Sequence, residues 1–296
     1  MVARPGPNFV ARAGPPPYTG TMAPAAPPDL RLVSAARNGS RPASFWRFGE
    51  SPAPGAGKAP ILAVAGLGLD GRVFSRLGAL ARERDVVLAN LANDQRPSTT
   101  MADFGREALS ILSAAGHGGR PAILMGSSFG AMVAMAAAEA DPARSAALVL
   151  IGAAPSWSWV PLRLRAASRL HPFIPRAAYP GVFTTVMLPP SRRMDPEVRA
   201  DLRAQMLHRT KQFLGASLGA MRGFDGLPGL AAHRGPALIL HGEMDAVLPA
   251  EGGEVLAAAL PRATFVGFPG AGHLPHVSQP GRIAEAIAGF LAKEGL

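Results

Sequence analysis

A chain of 296 residues, 48% hydrophobic and 17% charged, can bury one large core, which excludes a fibrous or wholly disordered protein. It has no cysteine, so disulfides, thiolate metal sites and a cysteine nucleophile are excluded; no run approaches the roughly 20 apolar residues of a membrane span. The net charge of +10 is concentrated in residues 1–60 (7 Lys/Arg against 2 Asp/Glu) and 155–232 (11 against 4). These basic residues do not interleave with aromatics as a single-strand nucleic-acid groove requires, so no nucleic-acid partner is expected.

Residues 1–28 contain PGP, PPP and APP, have no apolar period and read as a disordered, Pro-rich tail. The first 20 residues lack the continuous apolar stretch of a secretory leader, and a cytoplasmic location is expected. Strands are predicted over 30–36 and 44–48, joined by a turn at Asn38-Gly39, with a loop over 51–60. From residue 61 strands and helices alternate: strand 61–65, helix 72–83, strand 86–89, helix 101–115, strand 122–125, helix 129–140 and strand 146–151. The strands are short, continuous apolar runs, as burial on both faces requires. Residues 155–232 break the pattern with arginines, prolines and helical patches, and are predicted to form a lid above the sheet. Strand 236–241, helix 250–260, strand 263–268 and helix 280–293 complete the chain. The alternation predicts a mostly parallel sheet with helices on both faces, built from 29–154 and 233–296.

Chemistry is concentrated in Gly126-Ser127-Ser128-Phe129-Gly130, a G-x-S-x-G motif between a strand and a helix. A strand that turns sharply into a helix strains the middle residue and brings backbone segments close, which explains glycine at both ends. The serine then stands at the carboxyl end of the sheet, where N–H groups at the helix start can hold a developing oxyanion. The motif alone is weak, since it recurs at Gly215-Ala216-Ser217-Leu218-Gly219; that copy has no strand before it and reads as part of a lid helix. A serine hydroxyl needs a base, and the base needs a group that fixes its tautomer. Asp245 follows the strand PALIL and His273 follows the strand ATFVGF, so all three lie after carboxyl ends of strands.

The segments AVAGLGLDGRVFSRL, ILMGSSFGAMVAMAAAEADPARSAALVLIGAAP, ALILHGEMDAVLP and GAGHLPHVSQPGRIAEAIAGFL, within residues 60–293, resemble the α/β-hydrolase superfamily. The resemblance implies the α/β-hydrolase fold. It implies Ser128 as nucleophile, His273 as base, Asp245 as the orienting carboxylate, and backbone N–H groups of Leu67 and Phe129 as the oxyanion hole. The expected activity is cleavage of a carboxylic ester, thioester or lactone through an acyl-enzyme, without a cofactor or metal. The chain departs from the common pattern at Ala65, where His is frequent, at Asn90, where Asp is frequent, and at Ser278, where Glu is frequent.

Other readings use the same residues. Acyl transfer, perhydrolysis and C–C hydrolysis need the same triad, and a non-catalytic binding protein on this fold would not need all of it. Gly66-Leu67-Gly68-Leu69-Asp70-Gly71 matches the dinucleotide fingerprint G-x-G-x-x-G, but Asn90 stands where that fingerprint wants an acid. His276 is expected to flank the last helix. His117, His171, His208, His233 and His241 are expected at loops, lid and strand ends, without the acidic cluster of a metal site. Trp157, Trp159, Phe173, Phe183, Met187, Met194, Met206, Phe213 and Met221 pack the lid or line a pocket for a small-molecule substrate with an apolar portion.

Overall fold

The computed structural model describes residues 29–37, 40–49, 51–53, 57–187 and 196–296. The Pro-rich stretch 1–28, the Asn38-Gly39 turn and Met194 lie outside the described residues. One sheet of eight strands is ordered β1-β2-β4-β3-β5-β6-β7-β8. The hairpin β1 (Leu30–Arg37) and β2 (Ser40–Phe48) joins it antiparallel, through β2 against β4 (Val86–Ala89). The remaining neighbours, β3 (Ile61–Val64), β4, β5 (Ala122–Ser127), β6 (Ser145–Ile151), β7 (Ala237–Gly242) and β8 (Ala263–Phe268), pair parallel. Every residue of β3, β4, β5 and β7 is buried, which is why these strands lack polar alternation.

Two predicted helices take other forms. The stretch Gly71–Arg82 is a 3-10 segment interrupted at Leu77. Its buried Phe74, Leu77 and Leu80 recur every three residues, the spacing at which 3-10 side chains eclipse. Asp70 caps it by accepting the Arg72 N–H at 3.0 Å. Helix α1 (Met101–Leu112), opened by a Thr100–Asp103 capping box, gives way to a π-type turn over Ser113–His117 because Gly116 has φ +96°. Helix α2 (Phe129–Ala140) is apolar on every face as far as Ala138, being buried there between the sheet, α1 and the segment that follows β6.

Between β6 and β7 the described residues contain helices α3 (Leu162–Ser168), α4 (Tyr179–Met187), α5 (Pro196–His208), α6 (Lys211–Arg222) and α7 (Leu227–Leu230). An aromatic triangle ties this segment to the core. Phe213 of α6 packs edge-on against Phe104 of α1 and Phe129 of α2, with centroids 6.2 and 6.3 Å away, and Phe104 meets Phe129 at 5.1 Å. Each such pair contributes about 1 kcal/mol beyond its buried area. Helices α8 (Ala250–Ala259), α9 (Pro275–Ser278) and α10 (Pro280–Lys293) follow β7 and β8. No helix among the described residues is long and apolar enough to cross a membrane.

Candidate active site

Ser128 sits between the end of β5 and the start of α2 with φ +55° and ψ −117°, the one non-glycine residue at positive φ among the described residues. Holding an L-residue there costs on the order of 1–3 kcal/mol, and the surroundings enforce it. A Cβ on Gly126 would stand 2.0 Å from Gly130 O, and one on Gly130 would stand 1.9 Å from Val64 O. The Ser128 N–H donates to Ile151 O at 2.9 Å, and its carbonyl accepts from Ala131 at 2.9 Å to start the helix. Phe129 is the first residue of α2, so its N–H has no acceptor within the helix.

The glycine-rich loop after β3 passes the serine closely: a Cβ on Gly66 would lie 3.6 Å from Ser128 Cβ. Leu69 N–H donates to Gly66 O at 3.1 Å, closing a turn with Leu67 second and Gly68 third at φ +79°. The turn leaves the Leu67 N–H outside its own hydrogen bond. The glycines thus serve packing. Gly68 faces Met206, and a Cβ on Gly71 would lie 2.6 Å from Leu88 Cβ. Asn90, at the end of the neighbouring strand, donates from Nδ2 to Ser44 Oγ at 2.9 Å.

Asp245 follows β7. Its Oδ1 accepts N–H bonds from Val247 at 2.8 Å and Leu248 at 2.9 Å, while Oδ2 lies 2.7 Å from His273 Nδ1. His241 Nε2 is 3.3 Å from that same Oδ2 and 2.9 Å from Leu248 O. Burial by itself would raise the carboxyl pKa; the charge of His273 and the hydrogen bonds from His241 and His273 outweigh it and hold Asp245 well below the usual carboxylate range. His273, after β8, is buried. Its Nε2 makes no hydrogen bond. The structure therefore joins Asp245 to His273 but does not close a hydrogen bond from Ser128 to the imidazole. Such contacts commonly tighten only with substrate in place.

Gly152 brings the two halves of the site together. It follows Ile151, which holds the Ser128 N–H, and a Cβ on it would lie 2.9 Å from His273 O and 3.5 Å from His273 Nδ1. Its φ of +54° adds strain for any other residue. Gly152→Ala is expected to displace the imidazole and lower kcat by about 10- to 100-fold, with KM little changed. Steady-state kinetics on an ester substrate would check this, and an unchanged kcat would refute it.

The other candidates fall elsewhere. Ser217 is a fully buried residue inside α6 with ordinary helical backbone. His117 pairs with Asp85 at 2.7 Å, at the amino end of β4. His276 is fully buried against Phe74, with ring centroids 5.0 Å apart. Burial, and secondarily the charge of His273, push its pKa down to about 3 from an ordinary 6.5. The unfolded chain then takes up a proton that the buried ring refuses. Stability is complete above pH 6.5 and falls by about 1.4 kcal/mol per unit as the pH drops toward 3. Urea unfolding at pH 7 and pH 5 should show His276→Phe losing about 2 kcal/mol less than the parent chain on acidification. An identical pH dependence in both would contradict it. His241 lies at the end of β7, as expected, and the sequence gives no sign of its contact with the Asp245 carboxylate beyond spacing. The one sequence signal was its place four residues before Asp245.

An apolar cluster borders the Asp245 loop, formed by Ala154, Val160, Val247 and Leu248 with Trp157, Trp159, Leu164 and Met187 packed against it. Among the described residues no three His, Cys, Asp or Glu side chains gather as a metal site.

A mostly parallel sheet in this strand order, with a strained strand-to-helix turn at its carboxyl edge, defines the α/β-hydrolase fold. The sequence model of the alpha/beta hydrolase family matches residues 61–286, and the chain belongs to that family. It is 28% identical over 242 residues to a pimeloyl-[acyl-carrier protein] methyl ester esterase of Chromobacterium violaceum, covering 78% of this chain and 93% of the relative. Among solved structures, a thermophilic esterase from Thermogutta terrifontis superposes with a TM-score of 0.74 at 25% identity, covering 89% of this chain and 98% of the esterase. The enol-lactonase of Burkholderia xenovorans LB400 has a TM-score of 0.75 at 19% identity, covering 88% of this chain and 100% of the lactonase, a likeness of fold. Relatives named as esterases support a hydrolase enzyme acting on esters, at the level of the family.

Proposed function

We propose that the chain is a serine hydrolase that cleaves a carboxylic ester, or a thioester or lactone, through an acyl-enzyme on Ser128. The observation that carries this reading is the 2.7 Å bond between His273 and Asp245, on the same sheet edge as the strained Ser128. In the proposed cycle His273 Nε2 takes the proton of Ser128 Oγ as the oxygen attacks the carbonyl carbon. Asp245 stabilises the imidazolium that results. The N–H groups of Leu67 and Phe129 hold the oxyanion, a contribution of about 3–4 kcal/mol. The protonated histidine then gives its proton to the leaving alcohol, and water activated by the same imidazole releases the acid. No cofactor enters this cycle.

We extend the proposal to an acyl group with an apolar portion because the side chains packed around the Asp245 loop, Ala154, Val160, Val247 and Leu248, are apolar. The C. violaceum relative is named for a methyl ester, which extends the proposal to esters with a small leaving alcohol. The test is labelling with a fluorophosphonate and mapping the adduct by mass spectrometry, followed by turnover of p-nitrophenyl esters of rising acyl length. A label on Ser128 is expected. A label on Ser217, or active enzyme left unlabelled, would overturn the assignment.

A further inference from the structure

The turn that carries Leu67 is gripped from the segment between β6 and β7. Arg209 donates from Nε and Nη2 to Leu69 O, at 3.0 and 2.9 Å, and from Nη1 to Leu91 O at 2.8 Å. The other end of the same peptide unit, the Asp70 N–H, donates to Gln205 Oε1 at 3.3 Å. One peptide plane is thus clamped at its oxygen and at its nitrogen by residues four apart. Met206 closes the third side, its Cε 3.2 Å from where a Cβ on Gly68 would stand.

Arg209 is 1% exposed and lies over the Phe213 ring, 4.5 Å from its centroid. None of its hydrogen bonds reaches a carboxylate. Burial lowers its pKa to about 10, so it stays a cation at neutral pH. A buried cation with no carboxylate in direct contact is costly even with the charges of Asp70 and Glu107 nearby, and an apolar side chain of similar volume would anchor the segment with less penalty. What the guanidinium supplies and an apolar anchor cannot is a rigid fork of donors aimed at chosen carbonyl oxygens.

We infer that Arg209 is a positioning residue for the oxyanion hole: by fixing the Leu69–Asp70 peptide it sets the direction of the Leu67 N–H two residues earlier. This rests on the proposed role of Leu67. It makes the hole dependent on a residue outside the sheet and its loops. Removing the fork frees the peptide to rotate, and the donor leaves its line to the developing charge.

The experiment compares Arg209→Met, Arg209→Lys and Asn93→Ala on the full chain. Asn93 belongs to the same junction, donating to His208 O at 3.3 Å and accepting from Arg209 Nη1 at 3.4 Å, but it does not touch the Leu69–Asp70 peptide. Three quantities are read: kcat and KM for p-nitrophenyl butyrate, inhibition by an alkyl trifluoromethyl ketone whose adduct needs the hole, and Tm. Arg209→Met is expected to lower kcat by on the order of 10- to 100-fold with KM within about twofold. The ketone should weaken by the same factor as kcat/KM, with Arg209→Lys intermediate. Asn93→Ala should lower Tm without a matching loss of kcat. If Arg209→Met keeps its kcat, or if Arg209→Met and Asn93→Ala both lose activity only in proportion to Tm, the inference fails. Should Arg209→Met not fold, Arg209→Lys decides by the same split between kcat and KM. Labelling of the parent chain separates the two readings: a Ser128 adduct with an unaffected Arg209 variant defeats only this inference, and the absence of that adduct defeats the proposed function itself.

Discussion

Ser128→Ala is expected to lower kcat on p-nitrophenyl esters by on the order of 10⁴- to 10⁶-fold while the protein folds with an unchanged circular dichroism spectrum. The other two serines of the G-x-S-x-G copies are not placed to replace it. Ser127 is fully buried in the strand and Ser217 is fully buried inside α6. A residual rate near one tenth of the parent would show that Ser128 is not the nucleophile. A companion variant tests the strain. Because Ser128 is held at φ +55°, Ser128→Gly should be as inactive yet more stable than Ser128→Ala by about 1 kcal/mol. Thermal unfolding of the pair reads that difference, and equal Tm values would remove the argument from strain.

Gly130→Ala is expected to destabilise the chain by more than about 4 kcal/mol and to yield mostly insoluble protein. Its new Cβ would meet Val64 O at 1.9 Å, Val64 C at 2.5 Å and Ala65 O at 2.6 Å, all of them backbone atoms. No side chain can turn aside, so β3 and the start of α2 would have to part. The second G-x-S-x-G copy supplies the control. Gly219 lies within α6, exposed, and a Cβ there would meet only Pro97 O, at 3.9 Å. Gly219→Ala should therefore stabilise the chain by about 0.5–1 kcal/mol through helix propensity. Soluble expression and urea unfolding of the two variants would show opposite signs. A tolerated Gly130→Ala would mean that the turn is looser than its geometry states.

Paired motif copies show what local pattern can and cannot carry. The five-residue spelling is the same at 126–130 and 215–219, and only the strand before Ser128 distinguished them. That distinction was legible because a fully buried strand is a local apolar run. In the structure β5 reaches two residues further than the apolar run, through Gly126 and Ser127, because Gly126 sits opposite both Val64 and Leu150. The helix predicted over 72–83 shows the reverse case: its place after the glycine-rich loop is legible, but the stretch forms as a 3-10 segment, with Phe74, Leu77 and Leu80 buried at a spacing of three.

Strand order in time, the place of each loop after a strand, and the residue types at 128, 245 and 273 could all be read from the chain, since each depends on neighbours a few positions away. The fold class followed from the same local alternation. Folding alone decided that His241 and His273 share one oxygen of Asp245, that Gly152 stands against the imidazole, and that Arg209 reaches 140 positions back to Leu69. These contacts join residues with no common period. A histidine or arginine has the same intrinsic preferences whether it meets water or a distant carbonyl, so only the packed geometry selects its partner.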